Sequence, residues 1–336
     1  MLEPPDIPSE RLIEAVQETH SRRVTSIRFL PVGLDPRSSV FRVRFEAGAD
    51  ALLKVKEGGF APAALHLPRW LHAGGREEFV APVSGRGGSL RFSLGPSVEA
   101  ALYPWVEGPR ALDQGLDRSQ SYRLGELLRH LHSVEVPDHL GSLMRVEAFV
   151  APEAEQLGAL AELIEVETFP DMIRREFTQF WHDNKALISS MAERCEELGK
   201  IASNQIGVFV PCHADIHLAN VLIEPSGDLR IIDWDECKLA PKERDLMFLL
   251  SQDVIQLPRP VFDVAAFQEG YGGSAVDPWM MSWYRYAWVV QELAEFGWQV
   301  VWSEPLSPTA RDGWVRFQQL FAKGDVVEQA LLSEPL

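Results

Sequence analysis

The sequence has few cysteines and no long apolar run, and each shortage excludes a class of protein. Its three cysteines form no C-x-x-C pair, so we expect neither a disulfide framework nor a zinc knuckle. No apolar run reaches the roughly 18 residues that a membrane span needs. The first residues lack the basic region and the apolar core of a signal peptide. We therefore expect a reduced, cytoplasmic protein without a membrane partner.

Basic residues are also in deficit. There are 32 Lys and Arg residues against 49 Asp and Glu, which gives a formal net charge of −17. A surface of this sign repels nucleic acid and anionic membranes, so we expect neither as a partner. It attracts amine-bearing molecules, although acidity is equally typical of enzymes that need it for solubility. The charge is therefore consistent with a cationic small-molecule substrate and does not identify one.

The most informative stretch is residues 210–235, which carries two clusters of polar side chains. These side chains are His213, Asp215, His217, Asn220, Asp233 and Asp235. Between the clusters, two short apolar runs flank a Pro-Ser-Gly-Asp turn, which predicts a β-hairpin. Because a tight turn places the outer ends of its strands side by side, we expect Asn220 and Asp233 to face each other.

Phosphoryl transfer needs such an arrangement. The charge on the transferred group must be neutralised, and Mg²⁺ prefers hard oxygen ligands such as carboxylate and amide oxygens. Asp215 stands five residues before Asn220, which is the spacing of base and metal ligand in the kinase template, where a metal-binding Asp follows. On this template Asp215 is the base or orienting carboxylate, and Asn220 and Asp233 hold Mg²⁺.

Two other interpretations of this stretch stay open. The His-x-Asp-x-His pattern of residues 213–217 is also typical of zinc or iron sites, which would leave Asn220 and Asp233 without a role. The second interpretation is an ordinary hairpin whose ends happen to be polar. His217 has no evident role beyond packing of the loop.

The sequence His-Ala-Asp-Ile-His-Leu-Ala-Asn, followed by Ile-Ile-Asp-Trp-Asp, resembles the aminoglycoside phosphotransferase family, whose members are relatives of protein kinases. Residues 239–248 are similar to its spectinomycin phosphotransferase branch in particular. The resemblance implies transfer of the γ-phosphoryl group of ATP to a hydroxyl of a small molecule. It also implies that His213 braces the catalytic loop, that Asp245 supports this loop from below, and that Asp235 adds a metal or substrate contact.

The fold implied by the resemblance is α+β and bilobal, like that of protein kinases. We expect a small N-terminal lobe with an antiparallel sheet over residues 1–102, a hinge at 103–108, and a larger, mostly helical lobe over 109–336. Nucleotide would bind between the lobes. The length of 336 residues suits two lobes, and apolar periodicity predicts the clearest helix over 119–133.

In the first lobe, the resemblance assigns phosphate binding to a lysine of the strand predicted at 51–55. Lys54 matches the Leu-Lys position of the family, with Lys56 as the runner-up. Kinases pair this lysine with a glutamate of the next helix. The helix predicted over 61–73 contains no glutamate, and we expect Pro68 to interrupt it. The partner of Lys54 is therefore left open.

Further nucleotide contacts are implied in a loop and in the hinge. Ser38 and Ser39 lie in a turn-rich loop, before a strand predicted to begin at Val40, and offer hydroxyl and N–H groups to the phosphates. A plain hairpin turn accounts for this loop equally well. The backbone of Tyr103 and Trp105 is the candidate for contacts with the adenine edge.

Candidate substrate residues lie on two later helical segments. The family builds its substrate lid in the region of residues 145–205, where Trp181 is a candidate for stacking on a sugar ring. Plain helix packing is the favoured alternative. In the helix predicted over 283–302, Glu292 and Glu295 belong to a polar stripe that faces either water or the acidic floor of a substrate pocket.

Three functions fit these motifs. We favour phosphorylation of an aminocyclitol or aminoglycoside of the spectinomycin type, which would make antibiotic resistance the biological role. A metabolic kinase for homoserine, choline, a sugar or a hydroxylated amino acid shares every motif, because fold and core do not determine the acceptor. A non-catalytic nucleotide-binding regulator is the third, although the intact Asp215, Asn220 and Asp233 argue against it. We expect a monomer or a homodimer.

Overall fold

The computed structural model describes residues 4–33, 35, 37–205, 207–250, 262–273 and 275–335. The chain divides into two compact units. The first unit contains Met1–Leu124, Glu135–Arg145 and His213–Lys238. The second unit contains Gly125–Val134, Val146–Cys212 and Leu239–Leu336. The lobe boundaries inferred from the sequence, with a hinge at 103–108, remain a prediction.

The strands of the described chain are β1 (Val24–Leu30), β2 (Ser38–Phe45), β3 (Ala51–Glu57), β4 (Phe92–Gly95), β5 (Val98–Pro104), β6 (Arg145–Val146), β7 (Val210–Cys212), β8 (Val221–Ile223), β9 (Leu229–Ile231) and β10 (Lys238–Ala240). Its helices are α1 (Ser9–His20), α2 (Pro62–Ala73), α3 (Ala111–Gln114), α4 (Arg118–Ser133), α5 (Asp138–Gly141), α6 (Glu153–Val166), α7 (Met172–Ser203), α8 (Glu243–Leu249), α9 (Val264–Tyr271), α10 (Pro278–Trp302), α11 (Pro308–Gln319) and α12 (Val326–Leu332). Among the helices in these ranges, no segment is long and apolar enough to span a membrane.

The first unit is built on a five-stranded sheet with the order β1-β2-β3-β5-β4, in which each neighbouring pair is antiparallel. Strand β2 alternates buried and more exposed residues, as a half-buried strand should. Helix α1 covers this sheet, because Leu12 and Val16 are fully buried in one cluster with Val43 and Leu53. The expected order, an antiparallel sheet followed by a mostly helical remainder, is confirmed.

Strand β2 begins earlier than the sequence suggests. The sequence predicts a strand from Val40, but in the structure Ser38 and Ser39 already pair with Lys56 and Val55 of β3. Serine has little preference for strands, so local propensity did not reveal this extension. Pairing with β3 decides the conformation here, as tertiary context often does in sheets.

Helix α2 is continuous, contrary to the expectation that Pro68 would interrupt it. A proline inside a helix removes one backbone hydrogen bond and crowds the carbonyl four residues earlier. Here Leu65, Leu67 and Leu71 are buried on the same helix. We conclude that packing of these apolar side chains outweighs the local cost of the proline.

Strands β8 and β9 form the predicted hairpin, with Val221 opposite Ile231. The segment that follows β5 passes directly against it. At Gly108, where φ is +134°, an added Cβ would lie 1.9 Å from the carbonyl oxygen of Ile223. Only glycine permits this approach, and the close contact ties the expected hinge to the hairpin.

The second unit is organised around α10, which packs against α6, α7, α8, α11 and α12. Its buried residues extend from Met280 to Val301 and cover most of the helix surface, which is typical of a helix in the middle of a bundle. Helices α6 and α7 are separate, and the link between them contains Pro170, which disfavours helical conformation at the residue before it. Three short strands form a separate sheet in the order β6-β10-β7.

Candidate active site

The hairpin brings Asn220 next to the residues around Asp233. One position beyond the Val221–Ile231 pair, the N–H of Ile232 donates to the carbonyl oxygen of Asn220 at 3.0 Å. The apolar strand residues determine this register, since a shift by one residue would turn buried side chains outward. The two polar side chains therefore belong to the same end of the hairpin.

Asn220 also contacts Asp215 directly. Its Nδ2 donates to the backbone oxygen of Asp215 at 2.8 Å and to Oδ2 of the same residue at 3.0 Å. Each hydrogen bond that the Asn220 side chain makes with described residues, including one of 3.4 Å to Nε2 of His217, uses Nδ2. The amide oxygen Oδ1 is left as a ligand for a cation.

The backbone is strained at two positions of this cluster. Ala214 has φ = 67° and Asp233 has φ = 65°, in the left-handed region that favours glycine. Each such residue costs about 1–3 kcal/mol and persists only where its surroundings hold it. One strained residue precedes Asp215 and the other is the candidate metal ligand itself, so the strain lies at the two candidate catalytic carboxylates.

His213 holds these two strained segments together. It is fully buried, its Nε2–H donates to the carbonyl oxygen of Ile232 at 2.9 Å, and its Nδ1 accepts from the N–H of Asp215 at 3.3 Å. A carbonyl only accepts and an N–H only donates, so the tautomer that fits both contacts has a proton on Nε2. Its ring centroid lies 4.6 Å from that of Trp234. The side chain thus connects the segment of Asp215 with that of Asp233.

Lys54 is buried and forms ion pairs with two carboxylates. Its Nζ lies 2.7 Å from Oδ1 of Asp233 and 3.0 Å from Oδ2 of Asp235. Burial alone lowers the pKa of Lys54, but these carboxylates outweigh it and raise the pKa well above its ordinary value. For Asp233 the two effects have the opposite sign. Burial raises its pKa, but the attraction of Lys54 is stronger and lowers the pKa to about 2. The Asp233 side chain is 42% exposed, so solvent screens part of this attraction.

The ion pairs continue beyond Lys54. Lys56 pairs with Oδ2 of Asp235, and its Nζ lies 3.4 Å from Oδ2 of Asp35. Charges of opposite sign therefore alternate from Asp35 through Lys56, Asp235 and Lys54 to Asp233. We call these five residues the lysine–carboxylate chain.

Asp35 is the one member of the lysine–carboxylate chain that the sequence did not single out. It accepts hydrogen bonds from the N–H of Arg37 at 2.8 Å and from the hydroxyl of Ser38 at 2.7 Å. Burial raises the pKa of Asp35, but these hydrogen bonds and nearby Lys56 bring it below its ordinary value. The Asp-x-x-Ser spacing is a turn signal that was available in the sequence.

Ser38 and Ser39, the candidate phosphate contacts of the loop, have backbone or side-chain partners within the first unit. The N–H of Ser38 donates to the carbonyl oxygen of Asp35 at 3.2 Å, and its hydroxyl donates to the Asp35 carboxylate. Ser39 is 4% exposed and pairs with Val55 in the sheet. The structure thus places both residues at a strand end rather than in an open loop.

Tyr103 and Trp105, the candidate hinge contacts, lie at the end of β5. Tyr103 pairs with Leu52 of β3, and burial raises the pKa of its phenol while Lys54 opposes that shift. The N–H of Trp105 donates to the carbonyl oxygen of Asp50 at 3.3 Å. A nucleotide that accepted a hydrogen bond from the Trp105 N–H would therefore compete with the carbonyl oxygen of Asp50.

Trp181 lies in the core of the second unit. It is 1% exposed, and its ring stacks on that of Phe317 at 6.0 Å with 26° between the ring planes. Phe177 packs beside it, with 6.0 Å between the ring centroids. This position of Trp181 favours the interpretation of helix packing over that of sugar stacking, because a ring covered in this way offers no face to a sugar.

Glu292 and Glu295 lie at the more exposed face of α10, with Glu295 exposed and Glu292 partly buried. Glu292 accepts from the indole N–H of Trp288 at 3.0 Å, and Glu295 accepts from the amide of Gln291 at 3.0 Å. Both are local contacts one turn apart on the helix. These two contacts are made with neutral groups, and the role of both residues in substrate binding stays a prediction.

Asp245 is fully buried and belongs to a network in the second unit. Nε2–H of His132 donates to its Oδ2 at 2.9 Å, and Nδ1 of His132 shares a hydrogen bond of 2.8 Å with the hydroxyl of Tyr271. We call these three residues the buried triad. The sequence interpretation singled out Asp245 but neither of its partners, which carry no local signal on predominantly apolar helix faces.

The chain is similar to known phosphotransferases in both sequence and structure. Residues 26–286 match the phosphotransferase enzyme family (APH). Spectinomycin phosphotransferase APH(9)-Ia, solved in complex with ADP and spectinomycin, is 28% identical with a TM-score of 0.85, and the match covers 99% of this chain and 100% of that one. The comparison with curated proteins gives no match.

Two more distant structures share the fold alone. An amicoumacin kinase is 14% identical with a TM-score of 0.62, covering 96% of this chain and 94% of that one. A microcompartment-associated aminopropanol kinase is 14% identical with a TM-score of 0.62, covering 93% of this chain and 95% of that one. The kinase-like fold expected from the resemblance is confirmed. The chain belongs to the phosphotransferase enzyme family and is an ATP-dependent small-molecule phosphotransferase that acts on hydroxyl groups.

Proposed function

We propose that this chain is a cytoplasmic enzyme that uses Mg²⁺ and ATP to phosphorylate a hydroxyl of an amine-bearing aminocyclitol. The observation that carries the proposal is the hairpin that gathers Asp215, Asn220 and Asp233 around one end. The full-length similarity to a spectinomycin phosphotransferase solved with ADP and spectinomycin supports the nucleotide and the class of acceptor. The net charge of −17 favours a cationic acceptor over an anionic one.

The donor atoms of this cluster fit Mg²⁺. The Oδ1 atom of Asn220 and the exposed carboxylate of Asp233 are hard oxygen ligands. A zinc site at residues 213–217 fits less well, because both ring nitrogens of His213 already form hydrogen bonds. When bound by Asn220 and Asp233, Mg²⁺ would neutralise charge on the phosphates.

The other residues of the cluster take the remaining roles. Asp215 orients the acceptor hydroxyl and takes its proton as the new bond from oxygen to the γ-phosphorus forms and the bond to the ADP oxygen breaks. The hydrogen bond from Asn220 holds the Asp215 carboxylate in one orientation. Lys54 leaves Asp233 and binds phosphate oxygens, a charge-assisted contact that a buried ammonium makes strongly.

A screen of ATP consumption with purified protein tests the proposal. The acceptors should include aminocyclitols, aminoglycosides, simple amines, amino acids and neutral sugars, and phosphorus NMR should locate the modified hydroxyl. We expect aminocyclitols to be the best acceptors. A result in which neutral or anionic compounds outperform every amine would favour the metabolic kinase.

A calorimetric titration with nucleotide tests the metal. We expect affinity to fall when Mg²⁺ is removed with a chelator, because Asn220 and Asp233 bind nucleotide through the metal. Equal affinity in both conditions would contradict the assigned ligands. Nucleotide binding without turnover of any acceptor would favour the regulatory protein.

A further inference from the structure

We propose that Asp235 replaces the helix glutamate with which kinases hold the phosphate-binding lysine, and that it acts as the positioning residue for Lys54. The inference rests on the proposed function in one respect, since it takes Lys54 as a phosphate ligand. It assigns Asp235 a role different from the metal or substrate contact that the resemblance implies.

The first observation is that α2 cannot supply this carboxylate. The helix has the sequence Pro-Ala-Ala-Leu-His-Leu-Pro-Arg-Trp-Leu-His-Ala and contains no acidic residue. Within the described part of the chain, Lys54 instead pairs with Asp233 at 2.7 Å and with Asp235 at 3.0 Å. The carboxylate that holds Lys54 therefore comes from the segment after the hairpin.

Burial separates the two candidates. The side chains of Lys54 and Asp235 are 10% and 13% exposed, whereas that of Asp233 is 42% exposed. Asp233 is open to solvent and to ligands, and Asp235 is enclosed with the lysines. An ion pair between two enclosed groups is screened less by solvent and holds its geometry better.

The candidate metal role of Asp233 strengthens the distinction. A carboxylate that binds Mg²⁺ has less negative charge to offer to an ammonium group. If Asp233 were the sole partner of Lys54, metal binding would leave a buried ammonium without a counter-charge, which is costly. Asp235 keeps Lys54 paired while Asp233 turns to the metal.

The surroundings of Asp235 argue against a metal contact of its own. Its Oδ2 is shared between the ammonium groups of Lys54 and Lys56. The two lysines project from the same face of β3 because side chains of a strand repeat with a period of two. A divalent cation at this oxygen would lie beside two positive charges, which repel it.

A double-mutant cycle on nucleotide affinity tests the proposal. ADP binding to the full-length protein in excess Mg²⁺ is measured by calorimetry for wild type, Asp235→Asn, Lys54→Met and the double variant. Asp235→Asn should weaken binding about tenfold, the range of one charge-assisted hydrogen bond. In the Lys54→Met background it should cause no further loss, because Asp235 acts through Lys54. Additive losses would overturn the proposal.

Two further variants separate the position of Asp235 from a general effect of negative charge. Glu236→Gln removes a neighbouring charge whose side chain is 46% exposed, and it should leave ADP affinity unchanged. Asp235→Glu keeps the charge and should retain more affinity than Asp235→Asn, with the difference disappearing in the Lys54→Met background. If Asp235→Asn does not fold, Asp235→Glu takes its place in the double-mutant cycle.

The dependence on Mg²⁺ distinguishes the positioning role from a metal contact. If Asp235 positions Lys54, the Mg²⁺ concentration for half-maximal ADP binding should stay within twofold in Asp235→Asn. If Asp235→Asn raised this Mg²⁺ concentration tenfold or more, with Lys54 present or replaced by Met, Asp235 would be a metal ligand. That result would overturn the proposal. Since these measurements need no acceptor, the failure of the proposed function, in which no hydroxyl compound is phosphorylated, is a separate result.

Discussion

The two units contain polar networks that differ in their access to solvent. In the lysine–carboxylate chain of the first unit, Asp233 is 42% exposed. The side chain of Asp215, which contacts Asn220, is 35% exposed. In the buried triad of the second unit, the side chains of Asp245 and His132 are 0% and 5% exposed. An open network can exchange a protein partner for a ligand, whereas a closed network can only hold its own elements together. We therefore expect variants of the first to change activity and variants of the second to change stability.

The largest effect is expected for Asp215→Asn. A positioned base contributes about 10²–10⁴-fold to rate, so turnover should fall by about a thousandfold. ADP affinity should stay within a few-fold, because Asp215 contacts the acceptor. Steady-state kinetics and calorimetry measure the two quantities. Asp228→Asn, in the exposed turn of the same hairpin, is the matched control, and most of the activity surviving in Asp215→Asn would refute the base assignment.

Trp181→Ala should be the most destabilising of these changes. Removal of a fully buried tryptophan costs about 3–5 kcal/mol in free energy of unfolding, which urea denaturation measures. The Michaelis constant of the folded fraction should change little. Trp302→Ala, at a side chain that is 74% exposed, is the control and should stay within about 0.5 kcal/mol. A large rise in the Michaelis constant without loss of stability would restore the stacking role of Trp181.

Asp245→Asn and Asp233→Asn compare the two networks with the same chemical change. Asp245→Asn should cost about 2–3 kcal/mol of unfolding free energy, because it weakens a charged hydrogen bond to His132, and should leave turnover per folded molecule nearly unchanged. Asp233→Asn should abolish the Mg²⁺ dependence of ADP binding with a smaller loss of stability. If both variants lost stability equally and kept activity, the contrast between the networks would be wrong.

Glu292→Gln and Glu295→Gln test the second unit for a functional surface. If these carboxylates line the acceptor pocket, the Michaelis constant for an aminocyclitol should rise a few-fold and depend less on salt, because exposed charges are screened within about 8 Å at physiological ionic strength. Turnover should change less, since such contacts bind ground and transition states alike. An unchanged Michaelis constant would mean that the stripe faces water.

The smallest effect concerns the acid stability of the first unit. Burial raises the pKa of Asp233, but Lys54 outweighs burial and lowers this pKa from its ordinary 3.8 to about 2. The pair therefore contributes stability that is present above about pH 4 and is lost as the pH falls toward 2. Solvent screening keeps this contribution below about 1 kcal/mol. The urea midpoint should decrease between pH 5 and pH 3, and this decrease should be smaller in Lys54→Met than in wild type. A larger decrease in Lys54→Met would contradict the pairing.

Local patterns predicted much of the candidate site. The Pro-Ser-Gly-Asp turn and its apolar flanks predicted the β8–β9 hairpin, and the register followed from which side chains are buried. The spacing of Asp215 and Asn220 placed both residues in one short loop, where the structure shows them in contact. Helix α4 followed from apolar residues at helical spacing, and α10 from an apolar segment whose polar residues form one stripe. Such features depend on neighbours a few residues away, which the sequence displays.

The other features depend on contacts between distant segments. Lys54 and Asp233 are 179 residues apart, and no local pattern states which carboxylate a strand lysine will meet. Packing also overrode local expectation at Pro68, which stays inside α2.

By itself, the sequence predicted the chemistry proposed for this protein, because the candidate base, metal ligands and lysine are residue types at short, readable spacings. Only the tertiary structure decided which carboxylates hold Lys54 and which polar groups stay open to a ligand. The physical reason is that charge pairing and burial depend on distances in space, and the folding of remote segments sets those distances.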